Sequence, residues 1–320
     1  MTASSLTWQA PGSKTLRVQP PRSTTRTSSK AAAYRERPLL GIGLIVASTV
    51  FFSSSDVITK ELAVTVPAVE IAWLRFLVFS LLVLPVVLRS GAGVALRSVR
   101  PGLQVLRALG VVSSALLFTA GLHFLPVAEA SATNFVSPIF ITALSIPLLG
   151  EIVGWRRWAA ALVGLMGVLI VIRPGTSAFD PAALLPLLAA LSWAFAAVAT
   201  RKISGFDGPV TTLAYSAFVG LLVLTLALPF HWVLPGWREL ALGGCIGLLS
   251  TAGHGLVVVA YRHAAASTLA PFTYVQLVGS GVLAFLAFGE IPDGWTLAGG
   301  AVIIGSGLYT VHRERIRARA

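Results

Sequence analysis

Residues 121–132 read Gly-Leu-His-Phe-Leu-Pro-Val-Ala-Glu-Ala-Ser-Ala, and residues 260–271 read Ala-Tyr-Arg-His-Ala-Ala-Ala-Ser-Thr-Leu-Ala-Pro, 139 positions later. Each stretch opens a long apolar run that ends in Gly-Glu, at Gly150-Glu151 and at Gly289-Glu290. A tryptophan follows shortly after each (Trp155, Trp295), then a glycine-rich run that closes on a basic residue, Arg173 or Arg313. Landmarks held in register over that distance point to an internal repeat rather than to the general sameness of apolar sequence.

The surroundings of these stretches fix the solvent. The 320-residue chain is 56% hydrophobic and 11% charged, with a mean hydropathy of +0.84, whereas soluble domains carry about 25% charged residues. Of its 36 charged residues only 23 fall within residues 38–312, about one in twelve. A water-facing surface cannot be made from so few. Lipid must solvate this region, and its backbone polar groups must be satisfied internally.

Ten apolar runs are long enough to cross a bilayer core of about 30 Å: 39–59, 68–88, 103–122, 127–149, 155–173, 182–202, 209–230, 240–260, 267–288 and 295–312. Turn residues separate them, among them Arg100-Pro101-Gly102, Pro174-Gly175 and Pro292-Asp293-Gly294. The runs are rich in Leu and Ala without alternation, which predicts helices rather than barrel strands. The fold class expected is therefore all-α integral membrane. Residues 1–37 form a basic, Ser/Thr/Pro-rich tail expected to be disordered, residues 38–174 and 181–312 form the two copies, and residues 313–320 form a second basic tail.

Lys and Arg concentrate in the two tails and in alternate loops, at Arg89, Arg97, Arg100 and Arg107, then Arg156 and Arg157, then Arg201 and Lys202, then Arg262. That imbalance predicts both termini in the cytoplasm. It also accounts for the net charge of +12 without nucleic acid. Five spans per copy is an odd number, so the second copy must lie upside down relative to the first. Inverted repeats are the architecture of many secondary transporters, with the substrate site near the midplane between halves.

Residues 40–172 and 183–311 each resemble the EamA domain of the drug/metabolite transporter superfamily. Lys60, Arg75, Ser137-Pro138 and Gly150-Glu151 carry the resemblance in the first copy. Ala260-Tyr-Arg-His-Ala-Ala, Ala270-Pro271, Gly289-Glu290, Gly300 and Gly307 carry it in the second. The resemblance implies ten helices in two inverted five-helix EamA repeats that move small organic solutes without ATP. The second copy departs from the first: it has no counterpart of Arg75, and Gln276-Leu277 stands where the first has Ser137-Pro138.

Ionisable groups inside spans are rare because a charge at bilayer depth costs about 2.5–3.5 kcal/mol on insertion scales. Asp56 and Lys60 share a face of the first span, either as an intrahelical ion pair or with Asp56 in a central cavity as a proton or cation site. Arg75, which stays charged, either pairs with Asp56 or Glu129 or clamps a substrate carboxylate. Ser131, Asn134 and Pro138 share a face of the fourth span. Tyr274 is the candidate cavity aromatic of the ninth, with Gln276 turned away from it. His254 lies between Gly253 and Gly255, and Trp193 is read as packing or as a stacking platform. Asp56, Arg75, Asn134, His254 and Tyr274 form the candidate substrate-binding set.

No catalytic, cofactor or metal site is expected. Phosphate-loop, His-Glu-x-x-His and Gly-x-Ser-x-Gly motifs are missing, and Cys245 is the single cysteine. An intramembrane lipid or isoprenoid enzyme would need clustered carboxylates, for which Asp56, Glu70 and Glu129 are the candidates. The expected partners are a small-molecule solute and the lipid bilayer of the inner membrane, with proton coupling and a homodimer left open. The expected solute is an amino acid or related zwitterion, and the alternative is a larger aromatic metabolite such as riboflavin.

Overall fold

A computed structural model describes residues 38–150, 155–173, 175, 180–203, 206–263 and 269–317. The tail expected at 1–37, Glu151, Thr268 and residues 318–320 lie outside the described residues. Those described contain helices and no strand. The helices are α1 (Pro38–Leu62), α2 (Ala68–Arg89), α3 (Ala92–Ala95), α4 (Pro101–Leu122), α5 (Val127–Asn134) and α6 (Ser137–Leu149), then α7 (Trp155–Ile172), α8 (Leu184–Ile203), α9 (Pro209–Ala227), α10 (Trp237–His263), α11 (Val275–Phe288) and α12 (Gly294–Arg317). Single 3₁₀ turns occupy Pro181–Ala183, Leu228–Phe230 and Ala270–Tyr274.

Among the described residues seven segments are long and apolar enough to cross a membrane, including the α5–α6 segment Val127–Leu149. Leu162–Ile172, Phe272–Phe288 and Gly294–Ser306 are shorter apolar helices. The sequence places spans over all ten. Arg156 and Arg157 at the start of α7, the 3₁₀ turn before α11 and the basic end of α12 shorten the apolar part of the last three. Helix α12 runs on to Arg317, past the span end expected at 312.

Local signals set the boundaries. Proline opens α4 and α9, where its missing N–H is not needed. Gly150 and Gly289 end α6 and α11 with φ of +71° and +69°, a left-handed cap that glycine adopts without a Cβ clash. The Gly-Glu landmarks therefore have a shared backbone cause. Pro138 cannot donate to the carbonyl of Asn134, and the chain breaks at Phe135 and Val136 between α5 and α6.

Apolar side chains face outward, and polar ones are buried alongside an apolar core. Leu226, Phe230 and Leu286 are exposed, while Ser53, Ser55, Asp56, Thr59, Gln104, Arg107 and Thr119 are buried. Hydrophobic transfer from water cannot drive such packing in lipid, so small residues and interhelical hydrogen bonds must. Helices α7 and α12 meet backbone to backbone: Gly167 lies against Gly299 and Ile303, Gly299 against Val171, and Gly164 against Ser306. Rising numbers on one helix meet falling numbers on the other, so the pair is antiparallel.

Helices α2 and α9 are antiparallel too. Trp73 Nε1 donates to Thr225 Oγ1 (2.9 Å), Ser80 Oγ to the Ala217 carbonyl (3.0 Å) and Tyr215 Oη to the Leu96 carbonyl (3.3 Å). Both ends of this pair are tied in the same way. At one end Glu70 Oε2 accepts from Val233 N (3.1 Å), and at the other Asp207 Oδ1 accepts from Val99 N (3.0 Å). Helix α1 packs on α10 and α11, and α8 packs on α4 and α6.

Candidate functional site

One face of α1 organises the polar interior. Phe52, Ser53, Ser55, Asp56 and Thr59 recur at helical spacing, and between them they meet α2, α10 and α11. Ser55 Oγ is 2.9 Å from Ser250 Oγ of α10. Ser53 Oγ donates to the Gln276 carbonyl (3.1 Å), and Ser280 Oγ donates to Ser53 Oγ (3.3 Å), which fastens α1 to α11. Gln276 Nε2 then donates to Asp56 Oδ2 at 3.1 Å. Thr59 Oγ1 donates to the Ser55 carbonyl (2.7 Å) and accepts from Arg75 Nη2 of α2 (3.1 Å).

Asp56 and Arg75 attract one another electrostatically, yet no ion pair joins them among the described residues. Arg75 Nε is buried without a hydrogen-bond partner. The two opposite charges thus share one region and keep free hydrogen-bonding capacity. Lys60 does not pair with Asp56. Its Nζ donates to the carbonyls of Leu122 (2.9 Å) and Leu125 (2.8 Å), capping the end of α4, where helix carbonyls lack partners.

His254 lies beside the same face. Its Nδ1 is 3.1 Å from the Ser250 carbonyl, one turn back on α10. Its ring has Phe52 edge-on at 5.2 Å, Trp193 edge-on at 6.0 Å and Phe79 tilted at 6.2 Å. Its Nε2 is buried and unpartnered. Trp193, left in sequence between packing and stacking, is therefore part of an aromatic cage.

Tyr274, 7% exposed, stacks obliquely on Phe135 at 5.5 Å. Phe135 follows Asn134, whose Oδ1 is buried without a partner, as is Ser131 Oγ. The five candidates fall into two neighbouring groups: Asp56, Arg75 and His254, and Asn134 with Tyr274. The segment Tyr274–Gln276 links them, because Gln276 holds Asp56.

Sequence reasoning missed Gln276, read there as turned away from Tyr274, and missed Phe52 and Phe79. The signal for Gln276 was present in the repeat: an amide stands where the first copy has Ser-Pro. Arg107, read as a loop-edge charge, is buried in α4. It donates to the Thr212 carbonyl (2.7 Å), Ser216 Oγ, Gln104 Oε1 (3.3 Å) and Thr200 Oγ1 (3.5 Å).

The three candidate carboxylates do not meet one another. Asp56 meets Gln276, Glu70 meets Val233 N, and Glu129 interacts with Arg173, Asp293 and Asp180. Among the described residues no group of three or more His, Cys, Asp or Glu could hold a metal ion.

Away from these side chains, a groove of about 580 Å³ opens between the loops, lined by Arg97, Ser98, Phe206 and Asp207 among others. Burial raises the Asp207 pKa, but hydrogen bonds from Ser98 Oγ (2.5 Å), Val99 N and Gln104 Nε2 (2.8 Å) outweigh it and hold the carboxyl below its usual range. Asp293 is lowered as well, first by Thr296 and then by the ion pair to Arg173 (2.9 Å).

Known proteins resemble this chain. The model of the EamA-like transporter family matches residues 39–173 and again residues 180–311. The S-adenosylmethionine uptake transporter of Rickettsia bellii (strain RML369-C) is 32% identical over 86% of this chain and 94% of its own length. The riboflavin transporter of Rhizobium johnstonii is 31% identical over 88% of this chain and 94% of its own. The pseudopaline exporter CntI of Pseudomonas aeruginosa (strain UCBPP-PA14) is 32% identical over 82% and 93%. One crystal structure matches with a TM-score of 0.63 at 20% identity, over 85% of this chain and 97% of the other, a likeness of fold. A helical chain with an apolar exterior, buried polar side chains and two matches to one transport domain belongs to the EamA-like transporter family, and is a multi-pass membrane transporter rather than an enzyme.

Proposed function

We propose that this protein is a secondary carrier, driven without ATP, for amino-acid-derived zwitterions that carry an aromatic base, with S-adenosylmethionine as the first candidate. The observation that carries the reading is the buried Asp56 and the buried, unmatched Nε of Arg75, opposite in sign and not bonded to each other, beside the aromatic cage at His254. S-adenosylmethionine has a carboxylate, two cationic centres and an adenine ring. Arg75 suits the carboxylate, through a planar fork of donors. Asp56 suits a cationic centre, and the faces of Phe52, Phe79 and Trp193 suit the sulfonium and the base. The relative in Rickettsia bellii supports this substrate. None of the three relatives described above is named as a carrier of plain amino acids, so the aromatic part is included in the proposal.

The carrier works by alternating access between two inverted five-helix halves in the inner membrane, with both termini in the cytoplasm. The second helices of the two matched copies, α2 and α9, run antiparallel, and so do the fifth, α7 and α12. Opposite insertion of the copies requires this. The matching ties of Glu70 to Val233 N and Asp207 to Val99 N support it as well. Asp56 is the proposed proton site for coupling.

Purified protein in proteoliposomes tests the reading, with labelled S-adenosylmethionine, methionine and riboflavin offered without ATP and with or without a pH gradient. Saturable S-adenosylmethionine flux, lost in Asp56→Asn, is expected. Riboflavin is the second reading, favoured by the cage and by the relative in Rhizobium johnstonii. Saturable flux of riboflavin alone would move the function there.

A further inference from the structure

His254 has two ring nitrogens in unlike surroundings. Nδ1 faces the Ser250 carbonyl at 3.1 Å. A carbonyl oxygen can only accept, so Nδ1 carries the hydrogen. An imidazolium buried with no carboxylate bonded to it would be costly, so we take the ring as the neutral imidazole, with Nε2 a bare lone pair. That atom is buried, and no group among the described residues donates to it. A buried acceptor left unmatched is destabilising, and natural cores rarely retain one without a reason.

The surroundings narrow what can donate to Nε2. Phe52, Phe79 and Trp193 come from α1, α2 and α8 and stand around the imidazole at 5.2–6.2 Å. These walls offer ring faces and edges, and the indole N–H of Trp193, the one donor among them, does not reach Nε2. A flat, weakly polar group suits them, and the lone pair asks that this group bring its own N–H. Asp56 lies one turn along α1 from Phe52, so its carboxylate adjoins this ring of aromatics without belonging to it.

We infer that His254 reads the edge of a planar nitrogen heterocycle in the solute, its Nε2 accepting an N–H from that ring. This rests on the carrier reading above and adds a chemical requirement to it. Adenine meets the requirement with its exocyclic amine, and a flavin meets it with the N3–H of its ring system.

The test needs wild-type protein and one variant. Binding to purified protein is measured for S-adenosylmethionine and for its analogue with unsubstituted purine, which is the same shape without the amine. Riboflavin and its N3-methyl derivative form a second arm, and methionine a third. In wild type the purine analogue should bind roughly tenfold more weakly than the adenine compound, the scale of one buried hydrogen bond to a matched acceptor. In His254→Phe, which keeps a ring and removes the lone pair, that preference should vanish.

Equal binding of the adenine and purine compounds to wild type overturns the inference, as does a preference that survives in His254→Phe. Methionine bound as tightly as S-adenosylmethionine also overturns it, while leaving a zwitterion carrier standing. Riboflavin bound, with the N3-methyl derivative rejected through His254, upholds the inference and moves the carrier to flavins. Binding of neither heterocycle overturns both.

Discussion

Replacing Gly299 by alanine probes the seam on which α7 and α12 are fixed. A methyl group there would stand 2.6 Å from the Gly167 carbonyl oxygen and 2.5 Å from Val171 Cγ2. From the other side, a methyl at Gly167 would stand 2.9 Å from the Gly299 carbonyl oxygen and 2.8 Å from Ile303 Cγ1. Ordinary contact begins near 3.4 Å, and a helix carbonyl cannot swing aside. The two helices must therefore part by roughly half an ångström or more, at the expense of the close packing that holds apolar helices together in lipid. Overpacking of this kind costs about 1–3 kcal/mol. Gly305→Ala is the internal control, on the same helix with nothing within 4 Å of the added atom. There alanine should be neutral or stabilising, by up to about 1 kcal/mol, through helix propensity. Thermal unfolding in detergent should show Gly299→Ala melting several degrees below wild type and Gly305→Ala at or above it. The Gly167→Ala/Gly299→Ala pair should lose less than the sum of the single losses, since the first methyl already opens the seam. Equal melting of Gly299→Ala and Gly305→Ala would refute the close α7–α12 contact.

Four further outcomes are expected. Arg75→Lys keeps the charge and loses the planar fork, so substrate affinity should fall about tenfold or more, about 1.4 kcal/mol, at an unchanged melting temperature; unchanged affinity with a lowered melting temperature would leave Arg75 as a counter-ion. The Asp207 pKa is lowered in the folded protein, so its contribution is fully present above the unfolded value of 3.8 and lost as pH falls through the folded value. The gap in melting temperature between wild type and Asp207→Asn should accordingly hold from pH 7 to about 5 and close only below about pH 4; a gap that closes by pH 5 refutes the hydrogen-bonded carboxylate. Reporter fusions at Arg97, Asp180 and the C-terminus should read in, out and in, and an outside C-terminus overturns the inverted topology. Deletion of residues 1–33 should leave transport and melting intact, and lost activity in correctly inserted protein would make the tail a functional element.

The helices were legible because lipid imposes a coarse rule, a long apolar run between turn residues, and the chain obeys it at most boundaries. The rule is weakest where one span holds two structures. Residues 127–149 read as one apolar run, yet α5 and α6 are separate, because Pro138 withholds a single hydrogen bond. Within residues 267–288 a 3₁₀ turn, Ala270–Tyr274, precedes α11 in place of one continuous helix. The antiparallel contacts of α7 with α12 were not legible, although Gly164, Gly167 and Gly299 were in view. Glycine states that something comes close without saying what.

The candidate site was legible by scarcity and illegible by pairing. Asp56, Arg75 and His254 stood out because ionisable groups inside spans are expensive, and the structure gathers all three along one face of α1. The same criterion applies equally to Arg107, also a buried arginine in an apolar helix. What separates the two is how many donors each has already used. Arg107 has every guanidinium nitrogen bonded, to a carbonyl, two hydroxyls and an amide contributed by three helices. It is a brace, and a solute would have to break those bonds to reach it. Arg75 bonds Thr59 through one nitrogen and leaves Nε buried and unmatched. The partners of Arg107 lie up to 109 residues away in the chain, and no local pattern around either arginine encodes them. Scarcity finds the charges, but only the packing of distant helices decides which charge is satisfied and which keeps an unmatched donor.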